Sequence, residues 1–161
     1  MTNSPLPISQ AIVIAPQANM AALVVSMLRV LGCQKVKSVD SVSQAQILLD
    51  RTAFDLIVLD DGYARPDALD VVRHVRAQQE GLNRQVPIIM MAGAPDAARI
   101  TAARDAGVTE FLRKPFAANH LKARIDSITT SPRGFVEGKA YSGPDRRRRN
   151  LAVGNAERRS S

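Results

Sequence analysis

The stretch Asp55-Leu56-Ile57-Val58-Leu59-Asp60, DLIVLD, decides the fold. Four consecutive apolar residues closed by an acid read as a strand buried on both faces, and such a strand needs a layer of helix above it and another below. The flanking sequence supplies them. Upstream, Ala11 to Ala15 (AIVIA) is a second short apolar run. It precedes a helical pattern with Met20, Leu23, Val24, Met27 and Leu31 inward and Gly32 as its stop. Lys35 to Val39 alternates as a strand, and Ser43 to Arg51 is helical with Ala45, Leu48 and Leu49 inward. Downstream, Asp67 to Gln79 carries Leu69, Val72 and Val75 at helical spacing. Pro87 to Met91 (PIIMM) is another buried strand, followed by a helix from Asp96 to Ala106 that Gly107 ends. Thr109 to Leu112 is the fifth strand, and Asn119 to Ile128 the last helix, buried through Leu121, Ile125 and Ile128.

Five strands, each followed by a helix, define an α/β domain: a five-stranded parallel, doubly wound sheet over residues 1–130. Ligands and chemistry in such sheets collect at the carboxyl ends of the strands, where the strand order reverses. Those ends read Ala15-Pro16, Asp60-Asp61, Ala92-Gly93 and Lys114-Pro115-Phe116 for strands one, three, four and five.

Composition sets the outer bounds. The chain has 161 residues, is 45% apolar but only 4% aromatic, and has no Trp, so its core is aliphatic. A single cysteine, Cys33, excludes an internal disulfide and suits a reducing compartment. No apolar run approaches the roughly 18 residues of a membrane-spanning helix, so no membrane insertion is expected and the expected location is cytoplasmic. His74 and His120 stand alone on separate helices and are assigned neither catalysis nor metal binding.

Charge is uneven along the chain. Up to Thr130 there are 14 basic and 12 acidic residues; from Ser131 onward there are 8 and 3, so most of the +7 net charge sits in the last segment. That segment, 131–161, has glycines and prolines throughout and no sustained period, and it is expected to be a flexible basic tail. Within it stands YSGPDRRRRN, Tyr141 to Asn150. Arginine forks fit phosphate and the O6/N7 edge of guanine, a carboxylate accepts from the guanine N1/N2 edge, and an aromatic face stacks on a base. Tyr141, Asp145 and Arg146, Arg147, Arg148 and Arg149 therefore form a candidate site for a guanine-containing anion. An aspartate is out of place in a site for bare phosphate, but nucleic acid remains an alternative partner for the basic run.

DLIVLD with the helix start DALDVVRHVR, then PIIMMAG, then GVTEFLRKPF, resembles the receiver domain of bacterial response regulators, the CheY-like, flavodoxin-like (βα)5 fold, from about Ala11 to Ile128. The resemblance implies a phospho-acceptor at Asp60, a phosphate-binding lysine at Lys114 with Pro115 behind it, and a switch aromatic at Phe111. It also implies an acid pair for Mg²⁺ after strand one and a hydroxyl after strand four. Ala15, Pro16 and Ala92 stand at those positions, and the proline in the loop after Asp60 comes at 66, two residues later than in the family pattern. Phosphoryl transfer to a carboxylate needs a divalent ion, and Mg²⁺ needs oxygen ligands that alanine and proline side chains lack. Asp61 is a poor substitute, because neighbouring strand residues point to opposite faces.

The pattern is thus a degenerate receiver, a pseudo-receiver in which Asp60 is held by Lys114. It is not expected to be an enzyme or to carry Mg²⁺. Its expected partners are signalling proteins: a histidine kinase, a phosphotransferase or a flagellar motor component. The opposing reading is a working phospho-acceptor in a two-component phosphorelay. The tail, through GPDRRRR, resembles the arginine-rich extension of CheY-like cyclic-di-GMP effectors of alphaproteobacteria, which implies cyclic-di-GMP as its ligand.

Overall fold

The computed structural model describes residues 8–132, 134–137 and 141–146. Its elements run β1 (Gln10–Ile14), α1 (Ala18–Val30), β2 (Lys35–Val39), α2 (Val42–Arg51), β3 (Leu56–Asp60), α3 (Ala68–Ala77), β4 (Ile88–Ala92), α4 (Ala97–Ala106), β5 (Glu110–Arg113) and α5 (Ala118–Thr130). The five strands form one parallel sheet in the order β2-β1-β3-β4-β5. The order reverses between β1 and β3, so the crevice opens at the ends of those two strands.

Every residue of β3 and β4 is buried, as the apolar runs require, whereas the edge strand β2 alternates and leaves Lys35, Lys37 and Ser38 exposed. Two aliphatic layers cover the sheet. One packs α2, α3 and α4 through Ala45, Leu49, Leu69, Val72 and Ala103. The other packs α1 and α5 through Val24, Leu28, Leu121 and Ile125. The inward face of α1 is rotated from the expected one: Val24 is buried as expected, and Met20, Met27 and Leu31 are only partly buried. Leu23 is 46% exposed, and Ala21, Val24 and Leu28 form the buried stripe. At 100° per residue Leu23 lies more than a third of a turn off that stripe, which i, i+3, i+7 spacing draws through the other three.

The helix ends are set locally. Asp67 caps α3 by accepting from the Leu69 N–H (2.8 Å), and Asp70 accepts from the Asp67 N–H (3.2 Å). Asp96 caps α4 by accepting from the Arg99 N–H (2.8 Å). Gly107 ends α4 at φ 117°, a left-handed conformation that favours glycine.

Of the segment expected to be a flexible basic tail, residues 131, 132, 134–137 and 141–146 are described. Among its described residues, β6 (Phe135–Glu137) and β7 (Ser142–Pro144) pair antiparallel, with Val136 opposite Gly143. The Asp145 N–H donates to the Gly134 carbonyl (2.7 Å) and closes the ribbon. The reason is tertiary. Phe135 sits on the guanidinium groups of Arg76 and Arg84, 5.9 and 5.3 Å from its ring centre, and Gly143 packs against Gly107. No local period in 131–146 reports that platform, since the receptor is on α3 and the turns before β4 and β5.

Candidate functional site

At the carboxyl ends of the strands, β3 delivers Asp60 and the turn after β5 delivers Lys114. Lys114 is fixed by its own N–H, which donates to the Ala92 carbonyl at the end of β4 (2.8 Å). Its Nζ donates to both carboxylate oxygens of Asp60, at 3.2 Å to Oδ1 and 3.1 Å to Oδ2. The Gly62 N–H also donates to Oδ1 (2.7 Å). Asp60 is only 3% exposed, so both oxygens of a buried carboxylate are already engaged. Ala15, fully buried, and Pro16 follow β1, and Ala92, 4% exposed, ends β4.

The neighbouring acid is turned elsewhere. Asp61 receives Arg99 Nε on both oxygens (3.1 Å each) and a further contact from Arg99 Nη2. The same guanidinium donates to Asp67, through Nη1 (3.0 Å) and Nη2 (2.6 Å). Arg99, in the first turn of α4, thus ties the end of β3 to the cap of α3. Its hydrogen bond from Arg99, more than any other effect, holds the Asp67 carboxyl below the usual range, and the contacts with Asp67 and then Asp61 push Arg99 further up. Tyr63 closes the loop by donating to the Asp40 carbonyl (2.9 Å). Burial, followed by the charges of Asp40 and Asp60, raises its hydroxyl to about 12.

These side chains do not fit a magnesium ion. Mg²⁺ takes oxygen ligands, and beside Asp60 the side chains of Ala15, Pro16 and Ala92 have none, while Asp61 is engaged by Arg99. Among the described residues no three His, Cys, Asp or Glu side chains are grouped to hold a metal.

A family model for the response regulator receiver domain matches residues 12–126. The chain belongs to that family. It is 29% identical over 111 residues to chemotaxis protein CheY-3 of Vibrio cholerae, covering 69% of this chain and 84% of that protein. It is 30% identical over 120 residues to regulatory protein VirG of Agrobacterium fabrum, covering 74% of this chain and 45% of that one. Among solved structures, CheY4 of Vibrio cholerae superposes with a TM-score of 0.69 at 19% identity, over 75% of this chain and 98% of that one. The receiver domain of a sensor histidine kinase from Pseudomonas aeruginosa, with magnesium coordinated in its active site cleft, superposes with a TM-score of 0.68 at 26% identity, over 76% and 98%. As a response-regulator receiver, the chain belongs to bacterial signalling.

In this receiver Phe111, the switch-aromatic position, is half-buried on β5. It packs against the α2–α4 layer and walls a cavity of about 180 Å³ with Ala92, Ile100 and Arg124. Its carbonyl accepts from Arg124 Nε (2.6 Å). The candidate nucleotide residues are nowhere near Asp60. Tyr141, Asp145 and Arg146 lie with β6 and β7 against Gly107 and Arg76, beside the amino ends of β4 and β5. Tyr141 donates to the Pro144 carbonyl (2.6 Å), and the Arg146 guanidinium lies 4.4 Å above the Tyr141 ring while donating to Asp105 (2.6 Å). Arg147, Arg148 and Arg149 lie outside the described residues.

Three residues that organise the molecule were not singled out from sequence: Arg76, Arg84 and Arg99. Arg76 is 2% exposed. It donates to the Gly107 carbonyl from Nε (3.1 Å) and Nη2 (2.8 Å), and from Nη1 to the carbonyls of Arg84 and Val86 (2.7 Å each). Burial pushes its guanidinium down to about 10. A signal existed: Arg76 lies seven residues after Leu69 and four after Val72, on the apolar face of α3. His74 and His120 do structural work. His74 meets Asp50 (2.8 Å), and His120 Nδ1 accepts from the Ala117 N–H (2.9 Å). Cys33 is buried, which raises its thiol above the usual range. No helix among the described residues is long and apolar enough to cross a membrane.

Proposed function

We propose that this receiver is a pseudo-receiver: a cytoplasmic signalling protein that acts by binding a partner, not by catalysis, and does not depend on phosphorylation of Asp60. The observation that carries the reading is the saturation of Asp60 by Lys114 and the Gly62 N–H, with Ala15, Pro16 and Ala92 where oxygen ligands would have to stand. A phosphoryl donor would have to break that pair without an ion to neutralise its charge. The partner is a signalling protein of the kind that receivers engage: a histidine kinase, a phosphotransferase or a motor component. The test is incubation with acetyl phosphate or beryllofluoride and Mg²⁺, followed by amide shifts around Asp60. No change at millimolar Mg²⁺ supports the pseudo-receiver, and stoichiometric modification restores the phosphorelay reading.

The tail adds a ligand. Tyr141, Asp145 and the arginines from Arg146 to Arg149 combine a stacking face, a carboxylate for the guanine N1/N2 edge and forks for phosphate. The ligand that uses all three is a guanine-containing anion such as cyclic-di-GMP. Calorimetry with cyclic-di-GMP, cyclic-di-AMP and a short RNA tests it. Equal binding of all three, strengthened by Asp145→Ala, would make the tail a plain basic arm.

A further inference from the structure

The residues that suit a nucleotide are the same residues that hold the tail against the receiver. One face of Tyr141 carries the Arg146 guanidinium, 4.4 Å from the ring centre. Its hydroxyl is spent on the Pro144 carbonyl. Arg146 donates from Nη1 to Asp105, in the last turn of α4 (2.6 Å). Gly143 locks the arrangement. A Cβ there would stand 2.7 Å from the Tyr141 oxygen and 3.1 Å from the Gly107 Cα. Gly107 is itself held, because its carbonyl takes two donors from the buried Arg76. Behind the ribbon, Phe135 covers the guanidinium groups of Arg76 and Arg84. So the Tyr-Ser-Gly-Pro-Asp-Arg stretch is a docking sequence whose receptor is the amino-end edge of its own domain.

We propose that this ribbon is an autoinhibitory latch: docking on Gly107, Asp105 and Arg76 and capture of an anionic nucleotide by Tyr141 and Arg146 are mutually exclusive, so binding one releases the other. The proposal rests on the reading that the tail takes a guanine-containing anion. A base stacked on the Tyr141 face that Arg146 covers displaces Arg146, and a phosphate gripped bidentately through Arg146 Nη1 displaces Asp105. Ligand capture therefore undocks β6 and β7 and uncovers Phe135, the end of α4 and the outer side of Arg76 and Arg84. The receiver then presents a new surface at the end of the sheet opposite Asp60, and needs no phosphoryl group to do so. Competition of this kind has a measurable signature: a ribbon docked about nine-tenths of the time lowers the apparent affinity about ten-fold.

The experiment has a ligand-free arm and a ligand arm on the full chain. Without ligand, hydrogen exchange is followed at the Asp145 amide, which donates to Gly134 when the ribbon is closed. Protection in wild type, lost in Gly143→Ala, is the expected result. A wild-type Asp145 amide exchanging as fast as a free peptide overturns the latch with no reference to any ligand. In the second arm, cyclic-di-GMP is titrated calorimetrically at fixed salt into wild type, Gly143→Ala, Asp105→Asn and a charge control, Asp126→Asn on α5. Gly143→Ala removes no charge and should bind about ten-fold more tightly. Asp105→Asn, which removes one exposed ion pair, should bind about two- to five-fold more tightly. The control should match wild type, and saturating ligand should abolish Asp145 protection in wild type. Binding with protection retained, and with neither variant tighter, overturns the latch and leaves the nucleotide reading standing. No binding by any of the four chains, with the ribbon shown to be released in Gly143→Ala, overturns the nucleotide reading and the latch with it.

Discussion

The two ends of the sheet handle buried charge in opposite ways. At the carboxyl end, one nearly buried carboxylate, Asp60, is answered by one partly exposed ammonium: the Asp60 side chain is 4% exposed and that of Lys114 26%. At the amino end stands one nearly buried guanidinium, Arg76, whose hydrogen-bond partners among the described residues are not carboxylates. Its donors are answered by the main-chain carbonyls of Gly107, Arg84 and Val86. The first is an ion pair between the end of β3 and the turn after β5. The second is a staple that joins α3 to the turns before β4 and β5 and gives the ribbon its platform. A carbonyl staple is not weakened by loss of one opposite charge, so the amino end should be insensitive to salt but costly to truncate, and the carboxyl-end pair the more salt-sensitive of the two.

The comparison breaks most decisively at Arg76. Arg76→Met leaves three buried carbonyls without their donors and should cost about 3–5 kcal/mol in urea unfolding. It should also free the ribbon, visible as lost Asp145 amide protection. If the loss is under about 1 kcal/mol, the staple is not structural.

Next comes the asymmetry within the carboxyl-end pair. Lys114→Met strands the buried member and should cost about 2–3 kcal/mol, less than for a fully buried pair because Lys114 reaches solvent. Asp60→Asn strands only the more exposed member and should cost about 1 kcal/mol or less. Urea midpoints of the two variants check this, and equal costs would mean that burial does not govern the pair.

The smallest effect is the pH dependence of the Arg99 clamp. The Asp67 carboxyl is lowered in the folded state from its ordinary value of 3.8, mainly by the Arg99 hydrogen bond. Below that value the unfolded chain takes up a proton that the folded chain resists. Its contribution is therefore present above pH 3.8 and lost as pH falls through the folded value. Thermal melts of wild type and Arg99→Gln should converge as the pH drops below about 4. Curves that stay parallel would show that the clamp is ionically idle.

Much of this was legible in the residues. DLIVLD and PIIMM could only be strands with both faces covered, and their alternation with helical stripes left one layered arrangement. Asp60 and Lys114 were found because strand ends are where such sheets place their chemistry. Leu23 was misplaced because hydrophobicity marks a stripe only to within one position when apolar residues are plentiful, and packing geometry chooses among them. Arg76 was missed because a charged residue on an apolar face looks like a solvated one until its acceptors are seen, and these come from segments up to 31 residues away.

The tail marks the boundary between the two kinds of knowledge. By itself the sequence determined the parallel α/β sheet and the identity of the residues at its strand ends, Ala15, Pro16 and Ala92 among them. These follow from local periodicity and from which atoms a side chain contains. Only the tertiary structure decided that Asp61 belongs to Arg99, that Arg76 is a staple, and that Tyr141 and Arg146 are engaged by Pro144 and Asp105 before any ligand arrives. Each of these depends on a partner distant in the chain, and the free energy of such a contact is set by burial and geometry that no local pattern encodes.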